Sequence, residues 1–220
     1  MLYITPTPIW NLEDITLRAL RILKEVDYIA CEDTRKTSIL LKHYEIITPT
    51  VSYHSHSWQA KTDKILDMLK NGKKIALVSD AWTPGISDPG YTLIQAILKQ
   101  WYQVVSLPWA SAVITALAGS GKSSHHFLYL GFLPIKKWRH TLLKKISENH
   151  NETIVIYESV HRIIKTLHDL ELYFWKDFYI VIGRELTKKF EEYIRGNIWE
   201  LQEYFVQNPQ KIKWEFVILI

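Results

Sequence analysis

The feature that most limits what this chain can fold into is an alternation of short apolar runs with amphipathic stretches through its first half. Leu2–Thr5 reads as a strand, a turn then holds Pro6 and Pro8, and Asp14 is placed to cap a helix over Ile15–Lys24. Tyr28–Cys31 reads as a second strand and Thr34–His43 as a helix. The pattern repeats with Val51–Tyr53 and with Gln59–Lys70, a helix apolar at Ile65, Leu66 and Leu69 and followed by Gly72 as its C-cap. Lys74–Ser79, Tyr91–Lys99, Val104–Leu107 and Ala110–Ala118 continue it as strand, helix, strand and helix. Such alternation implies an α/β fold with a mostly parallel sheet and helices on both faces.

Gly119-Ser120-Gly121-Lys122-Ser123-Ser124 is a small polar break. It sets the expected domain boundary, with an N-terminal α/β domain over 1–121 and a C-terminal one over 122–220. The second half opens with the strand Phe127–Phe132, a basic helix over about Lys136–Asn149, the strand Thr153–Tyr157 and the helix Val160–Leu172. Strands at Phe178–Gly183 and Glu191–Ile198, a short helix near Glu200–Val206 and a final strand Glu215–Ile220 complete it. Consecutive strands near the end call for antiparallel pairing, so this sheet is expected to be mixed.

Length and composition exclude several classes. A chain of 220 residues, 47% hydrophobic and 23% charged, buries an ordinary soluble core without disulfides. No apolar run approaches the roughly 18 residues of a membrane helix, so no membrane partner is expected. MLYITPTPIW has neither the basic nor the apolar region of a signal peptide. The lone Cys31 suits a reducing cytosol and a cytoplasmic protein. The net charge of +4 is compatible with an anionic partner. Lys136, Lys137, Arg139, Lys144 and Lys145 cluster without an intervening acid, a run that by itself reads as a solvated helix face.

In open α/β sheets, ligands sit beyond the carboxyl ends of the strands. Three turn-rich loops fall there: Pro6–Leu12, the stretch VSDAWTPGISDPG over Val78–Gly90, and Pro108–Ala112. Glu32-Asp33-Thr34-Arg35-Lys36, Tyr157 to Arg162 and Arg184 to Lys189 also follow strands. Each places a cation near a carboxylate, which suits surface pairing singly and a phosphate-handling site collectively. Asp33 by itself suits a helix cap. ALAGSGKS over Ala116–Ser123 fits a permissive phosphate-loop pattern, but its helix precedes the loop and its strand follows, so an interdomain turn is the better reading. His54 and His56, with His43 nearby, lack the companions of a metal site, and none is expected.

Six segments taken in order resemble one family. They are PTPIWNLEDITLRAL, CEDTR, SDAWTPGISDPG, LPWASA, YESVHR and RELTKKFEE. Together they look like the ribosomal RNA small-subunit cytidine 2′-O-methyltransferases of the tetrapyrrole-methylase-like (class III) superfamily, over essentially the whole chain. The resemblance implies two α/β domains with S-adenosylmethionine in a cleft between them, and a homodimer. It implies methyl transfer to a ribose 2′-hydroxyl of small-subunit ribosomal RNA, free or in the assembled subunit. It places the cofactor against Ile9, Trp10, Asp80, Thr83, Ser111, Ala112 and Tyr157. Glu32 or Asp33 is expected as the base or to orient the ribose, with Lys188 as electrostatic helper. Arg35, Lys36, Arg162, Lys189 and the basic helix are the expected RNA contacts. The alternatives are a methylase acting on a tetrapyrrole or other small molecule, and a non-catalytic RNA-binding relative; a nucleotide hydrolase is more distant.

The chain departs from that family at its tryptophans. It holds 9 Trp and only 8 Gly, where glycine alone normally runs near 7%. The family's pattern has glycine where Trp10, Trp82 and Trp109 stand, and tends to have it at Trp101, Trp175 and Trp214; Val160 replaces a proline. Glycine serves where φ is positive or where backbone approaches a ligand closely. The expectation is that most of these tryptophans are glycine in the native protein, through a UGA codon read there as glycine; the rival reading is that they are genuine and the chain is an altered binder.

Overall fold

A computed structural model of the protein describes residues 1–53, 58–79, 84–85, 90–108, 110–149 and 151–220. It divides into two compact units, Met1–Ser111 and Ala112–Ile220.

In the first unit the strands are β1 (Leu2–Ile4), β2 (Tyr28–Cys31), β3 (Thr50–Ser52), β4 (Ile75–Val78) and β5 (Val104–Ser106). The helices are α1 (Leu17–Glu25), α2 (Thr34–His43), α3 (Trp58–Lys70) and α4 (Gly90–Lys99). The strands form one sheet in the order β3-β2-β4-β1-β5, and every pairing is parallel. The central strand shows why the sequence runs apolar without a break. Ala76 and Val78 join a core with Ile22, Leu23, Leu40 and Leu41 of α1 and α2. Ile75 and Leu77 join the opposite core with Ile65, Leu69, Leu93 and Ile97 of α3 and α4. Alternate side chains point to opposite faces, so a sheet covered twice needs apolar residues at every position.

The second unit holds β6 (Phe127–Phe132), β7 (Thr153–Glu158), β8 (Tyr179–Arg184), β9 (Glu192–Asn197) and β10 (Phe216–Leu219). Its helices are α5 (Ala112–Ser120), α6 (Trp138–Asn149), α7 (Ile163–Phe174) and α8 (Ile198–Gln207). The sheet order is β6-β7-β10-β8-β9. Among the described residues β6 and β7 pair in parallel and the other pairs are antiparallel, which makes the sheet mixed as expected. Leu143, Leu167, Leu170, Phe174, Leu201 and Phe205 pack with Ile156, Ile182 and Ile218 into one core.

Two positions differ from the sequence reading for local reasons. Helix α1 is capped by Thr16, whose hydroxyl accepts from the Ala19 N–H, while Asp14 ends a separate 3-10 turn over Leu12–Asp14. The units part ten residues before the expected 121/122 boundary, because α5 packs on β8 and β10. The glycine-rich stretch after α5 is that helix's own ending. Gly121 takes φ +78, and Arg195 donates to the Gly119 and Ser120 carbonyls. This is no phosphate cradle: the Lys122 ammonium instead donates to the Tyr179 carbonyl at 2.8 Å.

Candidate active site

The carboxyl ends of β1 and β4 lie side by side because the two strands pair directly in parallel register. Beyond them, the Thr7 hydroxyl donates to the Ser79 carbonyl at 2.8 Å and ties the first loop to the strand that leads into the second. Next to this tie is a cavity of about 460 Å³ lined by Thr7, Ile9, Trp10, Lys36, Leu40 and Ser79, among others. Residues of the first loop line one side, and residues of α2 the other. Ile9 is buried and Trp10 half exposed. Thus Ile9, Trp10 and Lys36 come together at one opening, while Asp80, Thr83, Trp82, Trp109, His54 and His56 fall outside the described residues.

Glu32 and Asp33 follow β2 directly, at the same end of the sheet. Asp33 caps α2 by accepting from the Arg35 N–H at 2.9 Å, and its two oxygens also take the Arg35 guanidinium at 3.1 and 2.8 Å. The hydrogen bonds from the Arg35 side chain, then from its backbone, hold the Asp33 carboxyl down at about 2. A carboxylate so weakly basic is badly matched to proton removal near neutral pH. Glu32 is partly buried and is the better-placed candidate of the two.

In the second unit, Tyr157 lies buried in β7, edge-on to Tyr129 with ring centroids 5.3 Å apart and tilted against Phe132 at 5.6 Å. A shift of register between Tyr129 and Gly131 in β6, with Gly131 at φ +65, lets Phe132 sit opposite Tyr157. Burial pushes the Tyr157 phenol well above its ordinary value. Ser111 directly precedes α5, and Ala112 opens it. The N–H groups of such a first turn favour anions.

Lys188 sits in the turn after β8. Glu185 and Thr187 both take positive φ there, +49 and +66, and for β-branched Thr187 this is a true outlier. Glu191 accepts from the Thr187 N–H at 2.6 Å, and Arg184 pairs with Glu185 and Glu192 to hold the turn. Strain held in this way is a mark of functional loops. The Lys188 ammonium lies 3.5 Å from the centre of the Trp214 ring. Burial is the leading cause that lowers its pKa, against the raising effect of Glu185 and Glu215. Sequence reading gave no role to Thr7, Tyr129, Thr187 or Glu215, although Thr7 and Thr187 lie inside the PTPIWNLEDITLRAL and RELTKKFEE segments.

Two expected RNA contacts are engaged inside the unit. Arg162 pairs with Glu158 at 3.1 Å and donates to the Leu133 carbonyl at 2.6 Å. Arg139, read from the sequence as part of a solvated basic face, is buried. It bonds Asp169 at 2.6 Å and Thr166 at 2.7 Å, with Glu158 at 3.8 Å. Arg35, Lys36, Lys136, Lys137 and Lys189 are exposed.

The family model described as tetrapyrrole (corrin/porphyrin) methylases matches residues 1–202. The chain belongs to the tetrapyrrole methylase family. It is therefore a methyltransferase, and within the family it is 46% identical over 220 residues to the "Ribosomal RNA small subunit methyltransferase I" of Hydrogenobaculum sp. (strain Y04AAS1), covering 100% of this chain and 94% of that one. The methylase fold recurs in solved structures of low identity. A diphthine synthase matches with a TM-score of 0.78 at 12% identity, over 100% of this chain and 88% of that one. The uroporphyrin-III C-methyl transferase of Thermus thermophilus, complexed with S-adenosyl homocysteine, matches with a TM-score of 0.65 at 15% identity, over 99% and 96%. In this methylase no helix among the described residues is long and apolar enough to cross a membrane.

Proposed function

We propose that the chain transfers the methyl group of S-adenosylmethionine to the ribose 2′-hydroxyl of a cytidine in small-subunit ribosomal RNA. The observation that carries this reading is the 46% identity over 220 residues to a protein named for small-subunit ribosomal RNA methylation. The reaction is an in-line displacement. The 2′-oxygen forms a bond to the methyl carbon, the sulfur leaves with the electron pair of the breaking bond, and the hydroxyl proton passes to a base. Alignment of donor and acceptor supplies most of the rate, and the base adds to it.

In this reading the donor is held by Ile9 and Trp10 at the cavity of the first unit, with Asp80, Thr83 and Ser111 contributing from the neighbouring loops. The family resemblance also carries Ala112 and Tyr157 as donor contacts. Glu32 accepts the proton, and Asp33 positions α2 and Arg35. Lys188 offsets the negative charge that develops on the attacking oxygen. Arg35, Lys36, Lys189 and what remains free of Arg162 contact RNA phosphates. The protein acts in the cytoplasm as a homodimer on the ribosomal RNA or the assembled subunit.

Calorimetry on protein purified from its own cells tests the donor site. S-adenosylmethionine binds with one site per chain and is competed by S-adenosylhomocysteine. Absence of any binding heat sinks the enzymatic reading and leaves an RNA-binding relative.

A further inference from the structure

Six non-glycine residues among those described take positive φ: Glu45, Trp101, Trp175, Glu185, Thr187 and Trp214. Half of them are tryptophan, a residue with a large β-substituent and no side-chain hydrogen bond that compensates such a backbone. L-residues are disfavoured there because Cβ crowds the following carbonyl. Trp138 and Trp199, by contrast, lie in helices α6 and α8 and take no positive φ.

The chain itself supplies the comparison. At the end of α3, the Gly72 N–H bonds the Leu69 carbonyl, and the Lys73 N–H bonds the Met68 carbonyl. At the end of α4, the Trp101 N–H bonds the Leu98 carbonyl, and the Tyr102 N–H bonds the Ile97 carbonyl. These are the same three-back and five-back bonds that end a helix with a left-handed residue, usually glycine. φ is +76 at Gly72 and +60 at Trp101. Trp101 is 94% exposed, so its packing offsets little of the strain. Trp175 ends α7 at φ +56 and ψ +157, at the edge of a region that is essentially glycine's alone. Trp214 takes φ +64 just before β10.

We infer that Trp101, Trp175 and Trp214 are glycine in the protein as the cell makes it, their UGA codons being read as glycine. The same decoding at Trp10 removes an indole from the wall of the first unit's cavity and enlarges the space there. At 214 it removes the ring that covers the Lys188 ammonium and presents that cation beside Glu215. The inference stands on backbone geometry and is separate from the proposed methyl transfer, although it bears on the donor's fit.

The gene and the native protein's mass test it together. UGA at codons 101, 175 and 214, with a mass lighter by one Trp-to-Gly difference at each, is the expected result. UGG at these codons, with a mass that retains the three indoles, overturns the inference. Stability supplies a second readout that needs no native source. Trp101→Gly, Trp175→Gly and Trp214→Gly each raise Tm by about 2–4 °C. Trp199→Gly, inside a helix, lowers it. A fall in Tm for all three positive-φ variants counts against the inference regardless of their activity.

Discussion

Asp33 caps α2 through the Arg35 N–H, and both its oxygens also receive the Arg35 guanidinium. Its carboxyl is held at about 2 by those bonds, below the unfolded value of about 3.9. Its contribution to stability is therefore present above that unfolded value and fades as pH falls through the folded one. Glu32→Gln is expected to lower kcat by about 10²–10⁴-fold with donor affinity unchanged. Asp33→Asn keeps the capping oxygen and retains most of the rate at neutral pH. A single-turnover assay on both variants separates the roles, and the reverse order of damage assigns the base to Asp33. Lys188 carries a pH prediction of its own. Burial lowers its pKa, so a rate that depends on its charge falls at a pH below the ordinary lysine range. Lys188→Arg moves that alkaline limb upward.

Among the elements, β7 and the helices around it are joined by a buried charge network. Glu158 is fully buried; it pairs with Arg162, accepts from the Thr166 hydroxyl at 2.6 Å and lies 3.8 Å from Arg139. Glu158→Ala leaves the buried Arg139 short of one counter-charge and is expected to destabilise by about 3–5 kcal/mol in urea unfolding. At Gly119 an added Cβ would come within 2.4 Å of the Tyr193 ring, so Gly119→Ala destabilises by about 1–3 kcal/mol through overpacking. Most elements were readable from the sequence because their signals are local. The apolar run of β4 and the Asp33 cap of α2 depend on neighbours in the chain. The start of α8 was local too: its capping box pairs Asn197 with Glu200, yet the helix was expected only from Glu200. The burial of Arg139 was not readable. It depends on Glu158 and Asp169, 19 and 30 residues away, and in sequence it is one more cation in a basic run. The site divides in the same way. Strand ends located its loops, whereas the Thr7–Ser79 tie and the strained Thr187 turn depend on pairing across the fold.

For the whole molecule, the exposed cations set how binding responds to salt. Neutralising Arg35, Lys36 and Lys189 together is expected to reduce the log–log salt slope of RNA binding by about 2–3, with little change in donor affinity. An unchanged slope in a filter-binding titration removes these residues from the RNA interface. The proposed homodimer predicts a sedimentation mass twice that of the chain. Methyl transfer to ribose is tested by incubating small-subunit ribosomal RNA and a labelled methyl donor with protein purified from its own cells. Label is expected on a cytidine 2′-oxygen, recovered after alkaline hydrolysis as a resistant dinucleotide. Unlabelled RNA, or label on a base and not on the ribose, contradicts it.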